Sequence, residues 1–484
     1  MAKVDRTLAS RRVFLQRCTL AAAAAVIPVA QLDAAPAPRS LDSSGTRDRS
    51  HLIRESTWLN PESLQFLEQM TRETLEKARV RPGEIKPGGG VNTTGITLIT
   101  PGGNYPAFWI RDYAMALESG LAGPDEMLPQ LRLIARSQNG ETERRLGSGA
   151  IIPPFAIPDH IRMDGGAVFY PGTYSAGEDQ GADPWGPLPP ADDHFYFIQV
   201  AYHLWKATKS VTFLSEDIGG RSMLDRLCAA FRSPETDVAT GAVISTRERR
   251  AVGFGFQDTI YLLGSMCFAT LLRWQAARRL EEMAREAAKQ TLAAEMDAEA
   301  RRIQDHVQPT FMDPQAVGGW LRAATVVGRQ PDIWATLFAL RLGLLSPPAD
   351  RRARETVADA IRRGQQDPVI EYRGAVRHVP VGFDYSAQSA WERCAAGGGT
   401  YQNGAYWHTP TGWLIEALSP IDPDLAQAVF DRYIANLRSE DFRKGGGAPW
   451  ECFGIGGRGA QNPVYLASVA LPLGSLRGEN SAQA

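Results

Sequence analysis

The sequence has 484 residues, of which 44% are hydrophobic and 22% are charged, so it is long enough to bury a large core in one or two domains. Its formal net charge of -2 excludes the strongly basic surface that binds nucleic acid or an anionic membrane. We therefore expect a neutral partner.

The first 37 residues are typical of a targeting segment. The motif Ser10–Leu15 (SRRVFL) precedes a run of Ala, Val and Ile and then small residues, a pattern that predicts a twin-arginine export signal. The alternative is a short membrane anchor, although the apolar run is well below the ~20 residues that a span needs. We predict a signal over 1–37, a flexible lead-in over 38–52, and a mature protein without a membrane span in the periplasm or outside the cell.

Residues 53–478 are predicted to form a single all-α domain. Asn60 precedes Pro61 as the expected N-cap of the first helix, and strand-like alternation is almost absent. Helical periodicity predicts helices over 61–80, 109–121, 125–137, 194–208, 222–231, 258–307 (two helices or one broken helix), 331–343, 350–363, 411–418, 423–438 and 462–473.

Two of the connecting segments are unusually long. Residues 151–193 and 382–410 are rich in Pro, Gly, Asp and aromatic side chains, and loops of this length are usually functional or disordered. Their aromatic content argues against disorder. Paired helices joined by alternating short and long loops favour a toroid of helical hairpins with the long loops at one end. A TIM barrel is the alternative, but it needs eight buried strands that the pattern lacks.

Cysteine and histidine give no sign of a metal site. The cysteines that follow the signal are widely spaced and include no CxxC pair: Cys228, Cys267, Cys394 and Cys452. They are expected to be small buried residues, with one or two disulfides as the alternative. No HExxH or GxSxG motif occurs and no Walker A loop introduces a cofactor, so we predict neither a metal nor a cofactor.

The segment PAFWIRDYAMAL places Trp109, Arg111 and Asp112 at the start of an apolar helix. It resembles the Trp-x-Arg-Asp segment that opens the second helix in glucoamylases and related inverting glycosidases with an (α/α)6 barrel. The resemblance implies that Arg111 and Asp112 bind sugar hydroxyls, while Trp109 offers an apolar face to the ring. The alternative is a buried ion pair that joins two helices.

The segment VGFGFQDTIYLLGSMCF resembles the Gly-aromatic-x-Asp segment that carries the general acid in trehalases and related glucosidases of this clan. By position, the acid is Asp258. Phe254 and Phe256 could supply the desolvation that raises the pKa of a proton donor. The alternative is that Asp258 only caps the following helix.

The segment GGGAPWECFGIGGRG carries Glu451 between two aromatic residues. In the same clan, the general base is a late glutamate on a loop before the last helix, and Glu451 is the only acidic residue between Asp441 and Glu479. The resemblance therefore implies that Glu451 activates water. The alternative is a loop clamp in which Glu451 pairs with Arg458.

The segment GTYQNGAYWHTP resembles an aromatic-x-Asn-Gly loop of the clan and is expected to be a carbohydrate-binding wall. A weaker candidate is Asp193, which either contacts a hydroxyl or caps a helix, and Asp332 is expected to be a cap. The predicted wall residues are Tyr401, Gln402, Asn403 and Trp407.

Taken in chain order, these segments imply an (α/α)6 toroid and an exo-acting inverting glycoside hydrolase that cleaves a neutral oligosaccharide or glycan. An inverting mechanism predicts that the carboxyl groups of Asp258 and Glu451 lie roughly 6.5 to 9.5 Å apart. Three other functions remain open: a phosphorylase of the same fold, a non-catalytic carbohydrate-binding protein, and a polysaccharide lyase. The sugar, its linkage and the oligomeric state are not predicted.

Overall fold

The computed structural model describes residues 59–181, 185–312 and 318–477. The predicted signal over 1–37 and the lead-in over 38–52 lie outside the described residues and stay predictions. No helix in the described ranges has the length and apolarity needed to cross a membrane.

The described ranges contain twelve α-helices. In chain order they are α1 (Pro61–Ala78), α2 (Ile110–Leu117), α3 (Pro124–Ser137), α4 (Asp192–Thr208), α5 (Met223–Arg232), α6 (Cys267–Glu286), α7 (Gln290–Phe311), α8 (Ile333–Leu342), α9 (Pro347–Arg363), α10 (Thr411–Leu418), α11 (Pro423–Ser439) and α12 (Ala467–Arg477).

The even-numbered helices form a closed inner ring. Helix α2 packs against α4, α4 against α6, α6 against α8, α8 against α10, α10 against α12, and α12 against α2. The odd-numbered helices lie outside this ring: α3 and α5 pack on α4, α7 on α6, α9 and α11 on α10, and α1 on α12. This arrangement is the predicted (α/α)6 toroid.

The sequence explains which helices lie inside. Every residue of α2 is buried, and so is every residue of α8 from Ile333 to Leu340. Outer helix α9 is amphipathic, because Ala353 and Val357 face the core while Arg351 and Glu355 face solvent. A helix without a polar face is stable only when other elements surround it, which places the even-numbered helices at the centre.

Several predicted helix boundaries shift in the structure. The segment 258–307 forms two helices, and the first begins only at Cys267. They are separated at Ala288, whose left-handed φ of 56° ends the helical path. The last helix begins at Ala467 rather than at residue 462. The predicted cap is confirmed, since the Asn60 side chain accepts from two backbone N–H groups of the first turn.

All β-strands in the described ranges are two or three residues long and pair antiparallel, which rules out a TIM barrel there. The pairs are Arg79–Val80 with Leu98–Ile99, Ile85–Lys86 with Gly90–Val91, Phe108–Trp109 with His160–Ile161, His160–Ile161 with Ala167–Val168, Arg144–Arg145 with Ile151–Ile152, Ile244–Ser245 with Gly264–Ser265, Glu371–Tyr372 with Ala375–Val376, and Trp450–Cys452 with Gln461–Pro463.

The cysteines of the described ranges are free thiols, so the alternative of one or two disulfides is not observed. Three of them are buried, namely Cys228, Cys267 and Cys452, and Cys394 is partly buried.

Candidate active site

The candidate site lies where the first residues of the inner helices meet. Arg111 at the start of α2 binds Asp192 at the start of α4, and Asp192 also accepts from the backbone N–H of Gly255, ahead of α6. The hydroxyl of Tyr465, just before α12, donates to Asp112 of α2. These bonds gather the loops that precede α2, α4, α6 and α12 at one end of the ring.

Arg111 is the centre of a buried ionic cluster. Its Nε donates to Asp192 Oδ2 over 2.9 Å, and its Nη2 donates to Asp159 Oδ1 over 2.7 Å and to Asp193 Oδ2 over 2.6 Å. The side chain packs so closely on Gly255 that a Cβ there would lie 1.9 Å from Nε. The structure thus places Arg111 in the buried ion pair that was the alternative to a sugar contact.

The carboxyls around Arg111 differ in their protonation. Burial would raise the pKa of Asp159, but Arg111 and His160 outweigh it and lower that pKa to about 2. Burial raises the pKa of Asp193 well above its ordinary value, and Asp193 Oδ1 has no hydrogen-bond partner in the described part of the chain. Asp193 does not cap α4, whose N-cap is Ala191.

Asp112, predicted to bind hydroxyls, is also buried. Its Oδ1 accepts from the Tyr465 hydroxyl. Burial raises the pKa of Asp112 to about 6, although Tyr465 and then Arg111 act to lower it. Asp112 therefore contributes a weakly acidic, partly satisfied carboxyl beside the ionic cluster.

Trp109 belongs to an aromatic cluster beside the buried ionic cluster. It stacks on His160 with ring centroids 4.4 Å apart, because the two residues face each other across a strand pair. The rings of Tyr105 and Tyr174 form T-shaped contacts with Trp109, with ring centroids 4.8 and 6.1 Å away. Trp109 is only 7% exposed, whereas Tyr174 is 54% exposed, so Tyr174 presents this cluster to solvent.

Asp258 follows a short 3₁₀ turn over Gly255–Gln257. It does not cap α6, because that helix begins at Cys267 and its N-cap is Met266. The alternative structural role is therefore not observed, and the carboxyl stands in an irregular segment ahead of an inner helix.

Gln402 holds the carboxyl of Asp258. Its Nε2 donates to Asp258 Oδ1 over 2.8 Å and to the Gly255 carbonyl over 3.2 Å. Its Oε1 accepts from the Thr259 backbone N–H and hydroxyl over 2.8 and 2.7 Å. Burial raises the pKa of Asp258 to about 7, while the Gln402 donor lowers it and the Asp159 charge raises it. Gln402 thus binds the proposed acid rather than forming a free wall.

Glu451 is the middle residue of the strand Trp450–Cys452 and is 1% exposed. The Tyr105 hydroxyl donates to its Oε1 over 2.6 Å, and the Asn462 side-chain amide donates to its Oε2. Neither oxygen is bonded to Arg458, so the loop clamp is not observed among the described residues. Burial raises the pKa of Glu451 to about 8 against the effect of these two donors.

The two carboxyls act on one another. The charge of Asp258 is among the causes that raise the pKa of Glu451. Burial raises the pKa of Tyr401 well above its ordinary value, and the charges of Glu451 and Asp258 raise it further. Tyr401 has a left-handed φ of 44°, an uncommon conformation for a non-glycine residue that is frequent at functional sites. Tyr105, which donates to Glu451, is also hydrogen-bonded to Tyr401, and the next residue, Gln402, donates to Asp258, so both carboxyls are linked to the Tyr401–Gln402 segment.

The rest of the predicted wall has internal partners. Asn403 Oδ1 accepts from the Ala390 N–H over 2.9 Å, and its Nδ2 donates to the Ala396 carbonyl over 2.8 Å. Trp407 is fully buried, and its ring centroid lies 5.1 Å from that of Tyr401. Of these residues, only Tyr401 keeps a partly exposed side chain next to the carboxyls.

Asp332 lies beneath this site. Its Oδ1 accepts from the Ala335 N–H at the start of α8, which confirms the predicted cap, and its Oδ2 accepts from Gln257 over 2.7 Å. Trp334 is fully buried and belongs to the core.

The sequence did not single out several residues of the site, because their roles depend on partners far along the chain. A polar Asp-His pair within the largely apolar segment 151–163 was the one local signal, and the other residues lie just outside the segments that the resemblance indicated. The missed residues are Tyr105, Asp159, His160, Asn462 and Tyr465.

The site is strongly acidic. Against the single guanidinium of Arg111 it gathers six carboxyls: Asp112, Asp159, Asp192, Asp193, Asp258 and Glu451. No group of three or more His, Cys, Asp or Glu side chains in the described ranges is arranged to hold a metal ion. Because burial raises the pKa of Glu451 to about 8 and that of Asp193 well above its ordinary value, part of this carboxyl set is neutral at pH 7 and can both donate to and accept from sugar hydroxyls.

The fold resembles those of solved glycosidases. A GH63 mannosylglycerate hydrolase from Thermus thermophilus is 15% identical with a TM-score of 0.51, covering 84% of this chain and 99% of its own. A glucoamylase from Saccharomycopsis fibuligera is 13% identical with a TM-score of 0.53, covering 87% and 95%. This chain shares their (α/α)6 fold. No sequence-family model matches it, and no curated protein does.

A third similar structure extends the range of chemistries on this fold. It is a GH78 family rhamnosidase from Bacillus sp. GL1, 10% identical with a TM-score of 0.50, covering 86% of this chain and 35% of its own. At these identities the likeness concerns the fold, so function has to be argued from the site.

Proposed function

We propose that this chain is an exported inverting glycoside hydrolase that removes sugars from the end of a neutral oligosaccharide or glycan. The observation that supports it most is that Asp258 and Glu451 are both linked to the Tyr401–Gln402 segment, with each carboxyl held by protein donors. The names of the similar structures, a hydrolase, a glucoamylase and a rhamnosidase, agree with glycosidic-bond cleavage.

The hydrogen bonds support one assignment of the two roles. Gln402 donates to Asp258 Oδ1, which leaves Oδ2 to carry a proton for the glycosidic oxygen. Glu451 accepts one donor on each oxygen, an arrangement that stabilises the ionised form needed by a base. The pKa is about 7 for Asp258 and about 8 for Glu451. By this order alone, a single proton shared by the pair would lie on Glu451, which is the opposite of the assignment from the hydrogen bonds. We favour the hydrogen-bond assignment for the reactive form, because an ionised Glu451 makes both bonds charge-assisted, and the pair reaches this form when its single proton lies on Asp258.

The reaction follows from these roles. Glu451 takes a proton from water as the water oxygen attacks the anomeric carbon. The bond to the leaving oxygen breaks, and that oxygen takes the proton of Asp258. Attack from the face opposite the leaving group inverts the configuration and requires carboxyls roughly 6.5 to 9.5 Å apart.

Water is favoured over phosphate as the nucleophile. A phosphorylase would need cationic groups beside Glu451, but Arg443 is paired with Asp441, and both Lys444 and Arg458 are exposed. A lyase would need a free arginine for a substrate carboxylate, and Arg111 already binds three protein carboxylates.

Export and exo action are parts of the same proposal. The twin-arginine motif supports export, and Arg11→Lys with Arg12→Lys should retain the protein in the cytoplasm of the native host.

The long loops over 151–193 and 382–410, which supply His160, Tyr174 and Gln402 to the site, support a pocket closed at one end.

The central test is a screen of α-linked aryl glucosides and mannosides and the matching disaccharides. We expect the parent to hydrolyse at least one, and Asp258→Asn and Glu451→Gln to lower kcat by roughly 10²- to 10⁴-fold. Glu248→Gln, on an exposed loop, is the matched control. Proton NMR of the first product should show the inverted anomer. Undiminished turnover in both variants would refute the assignment, and a phosphate requirement would establish the phosphorylase.

A further inference from the structure

A second concave surface lies beside the candidate site. It is a cavity of about 400 Å³, within the size range of small-ligand sites. Neither Asp258 nor Glu451 lines it. Its walls come from the segment 320–331, ahead of α8, and from the long loop 383–392, and they include Trp320, Arg329, Gln330, Phe383, Tyr385 and Glu392.

The cavity is built on the two loops that flank the segment of Asp258. On one side, the Ala395 N–H donates to the Thr259 carbonyl over 2.7 Å. On the other, the backbone of Leu263 pairs with that of Val327, with its N–H donating over 3.1 Å. The segment that runs from Asp258 into α6 therefore lies between both walls of the cavity.

The two walls are also joined directly. The Gly328 N–H donates to Glu392 Oε2 over 3.2 Å. In addition, the loop 383–403 runs from the cavity to Gln402, which binds the Asp258 carboxyl. The cavity is therefore on the same side of the site as the proposed proton donor.

The lining has the chemistry of a sugar-binding surface. Phe383 and Tyr385 provide two accessible aromatic side chains for the apolar faces of sugar rings, while Trp320, which also lines the cavity, is buried. Arg329 provides several N–H donors for hydroxyls. The side-chain oxygen of Gln330 is buried without a hydrogen-bond partner in the described residues, and rotation of that amide into the cavity would let it accept from a hydroxyl.

One aromatic wall residue is well exposed. Tyr385, which lines the cavity, is 62% exposed, so its ring is accessible to a ligand. An exposed aromatic ring at a concave surface can stack on the apolar face of a sugar.

We propose that this cavity binds the leaving-group part of an oligosaccharide substrate, beyond the sugar attached to the scissile bond. The inference rests on the proposed function, because the leaving oxygen is the one that Asp258 protonates. The enzyme should consequently prefer longer substrates to a glycoside with a small leaving group.

The test compares substrates of different length with variants of the cavity. For the sugar that the parent cleaves, kcat/KM is measured on an aryl monoglycoside and on oligosaccharides of two to five units. We expect parent kcat/KM to rise with length, and Tyr385→Ala and Arg329→Ala each to lower it roughly 3- to 10-fold on the longest substrate only. Val238→Ala, an 83% exposed residue on another loop, is the control.

The outcomes separate the two proposals. If the parent cleaves no glycoside, the proposed function is wrong and the cavity inference falls with it. If the parent is active but shows no length dependence, or if Tyr385→Ala and Arg329→Ala reduce activity on the aryl glycoside and the oligosaccharides equally, only the cavity inference is overturned.

Discussion

The side-chain amide of Gln402 donates to Oδ1 of Asp258 over 2.8 Å, while its oxygen accepts two hydrogen bonds from Thr259. Because these bonds fix the amide on both sides, its N–H must point at the carboxyl. Gln402 is therefore a positioning residue that fixes the orientation of the proposed acid and leaves Oδ2 free to carry the proton.

Replacing Gln402 should change the pH dependence as well as the rate. Its donor lowers the pKa of Asp258, so Gln402→Met should raise that pKa and move the kcat/KM profile to higher pH. Loss of one hydrogen bond to a charged group corresponds to about 1.5–3 kcal/mol, so kcat/KM should fall about tenfold or more.

The matched control is the neighbouring amide. Asn403→Ala removes bonds to backbone groups and to Ser389, and it should lower thermal stability without moving the pH profile. A Gln402→Met enzyme with the pH profile of the parent would contradict the positioning role.

The sequence predicted the fold, and it indicated Asp258 and Glu451 as candidates, but it did not predict what surrounds these carboxyls. Apolar periodicity is local, so it located the helices, and resemblance located the segments of Asp258 and Glu451. The partners of Arg111 are 48 to 82 positions away, and no local pattern indicates which carboxyl an arginine will meet.

The predicted sugar wall shows the same limit. Amides and aromatic residues suit sugars and loop interiors equally well. Gln402 lies 144 positions from Asp258, so the sequence could not show that its hydrogen-bonding capacity is already satisfied by protein groups. Likewise, the full burial of Trp407 depends on the packing of the whole ring.

The pH profile of the parent should be narrow and close to neutral. Burial raises the pKa of Asp258 to about 7 and that of Glu451 to about 8, and catalysis needs the form in which the pair holds one proton. We expect kcat/KM to rise through about pH 7 and to fall through about pH 8. Steady-state rates between pH 4 and 10 measure this, and an optimum near pH 5 would show that the carboxyls are not desolvated as described.

Arg111 should be essential for stability. Removing one partner of a buried ion pair typically costs about 3–5 kcal/mol, and Arg111 neutralises a cluster of three carboxyls, so Arg111→Met should destabilise by at least this amount. Urea unfolding measures the change. Arg72→Met removes an exposed pair with Glu68 and should cost only about 0–1 kcal/mol. Equal effects of the two substitutions would contradict the central role of Arg111.

Glu451 should make the folded protein less stable as the pH rises. Its pKa is about 8 in the fold against an ordinary value of 4.5, so the folded state binds more protons between these values, and the free energy of unfolding falls across this window. Glu451→Gln removes that dependence. The variant should therefore gain stability relative to the parent between pH 5 and pH 9, by up to about 4 kcal/mol, since one pKa unit corresponds to about 1.4 kcal/mol.

Urea unfolding of both proteins at pH 5, 7 and 9 measures this difference. The exposed Glu248→Gln control should keep a constant offset from the parent at all three values. Because the charges of Asp112 and Asp258 raise the pKa of Glu451, their own titrations shift in the variant, and the difference between the two proteins reports the coupled carboxyls together. A difference in the free energy of unfolding between Glu451→Gln and the parent that stays constant from pH 5 to pH 9 would contradict this prediction. It would mean that Glu451 is ionised at every pH tested, because the donors Tyr105 and Asn462 stabilise its carboxylate more than burial destabilises it.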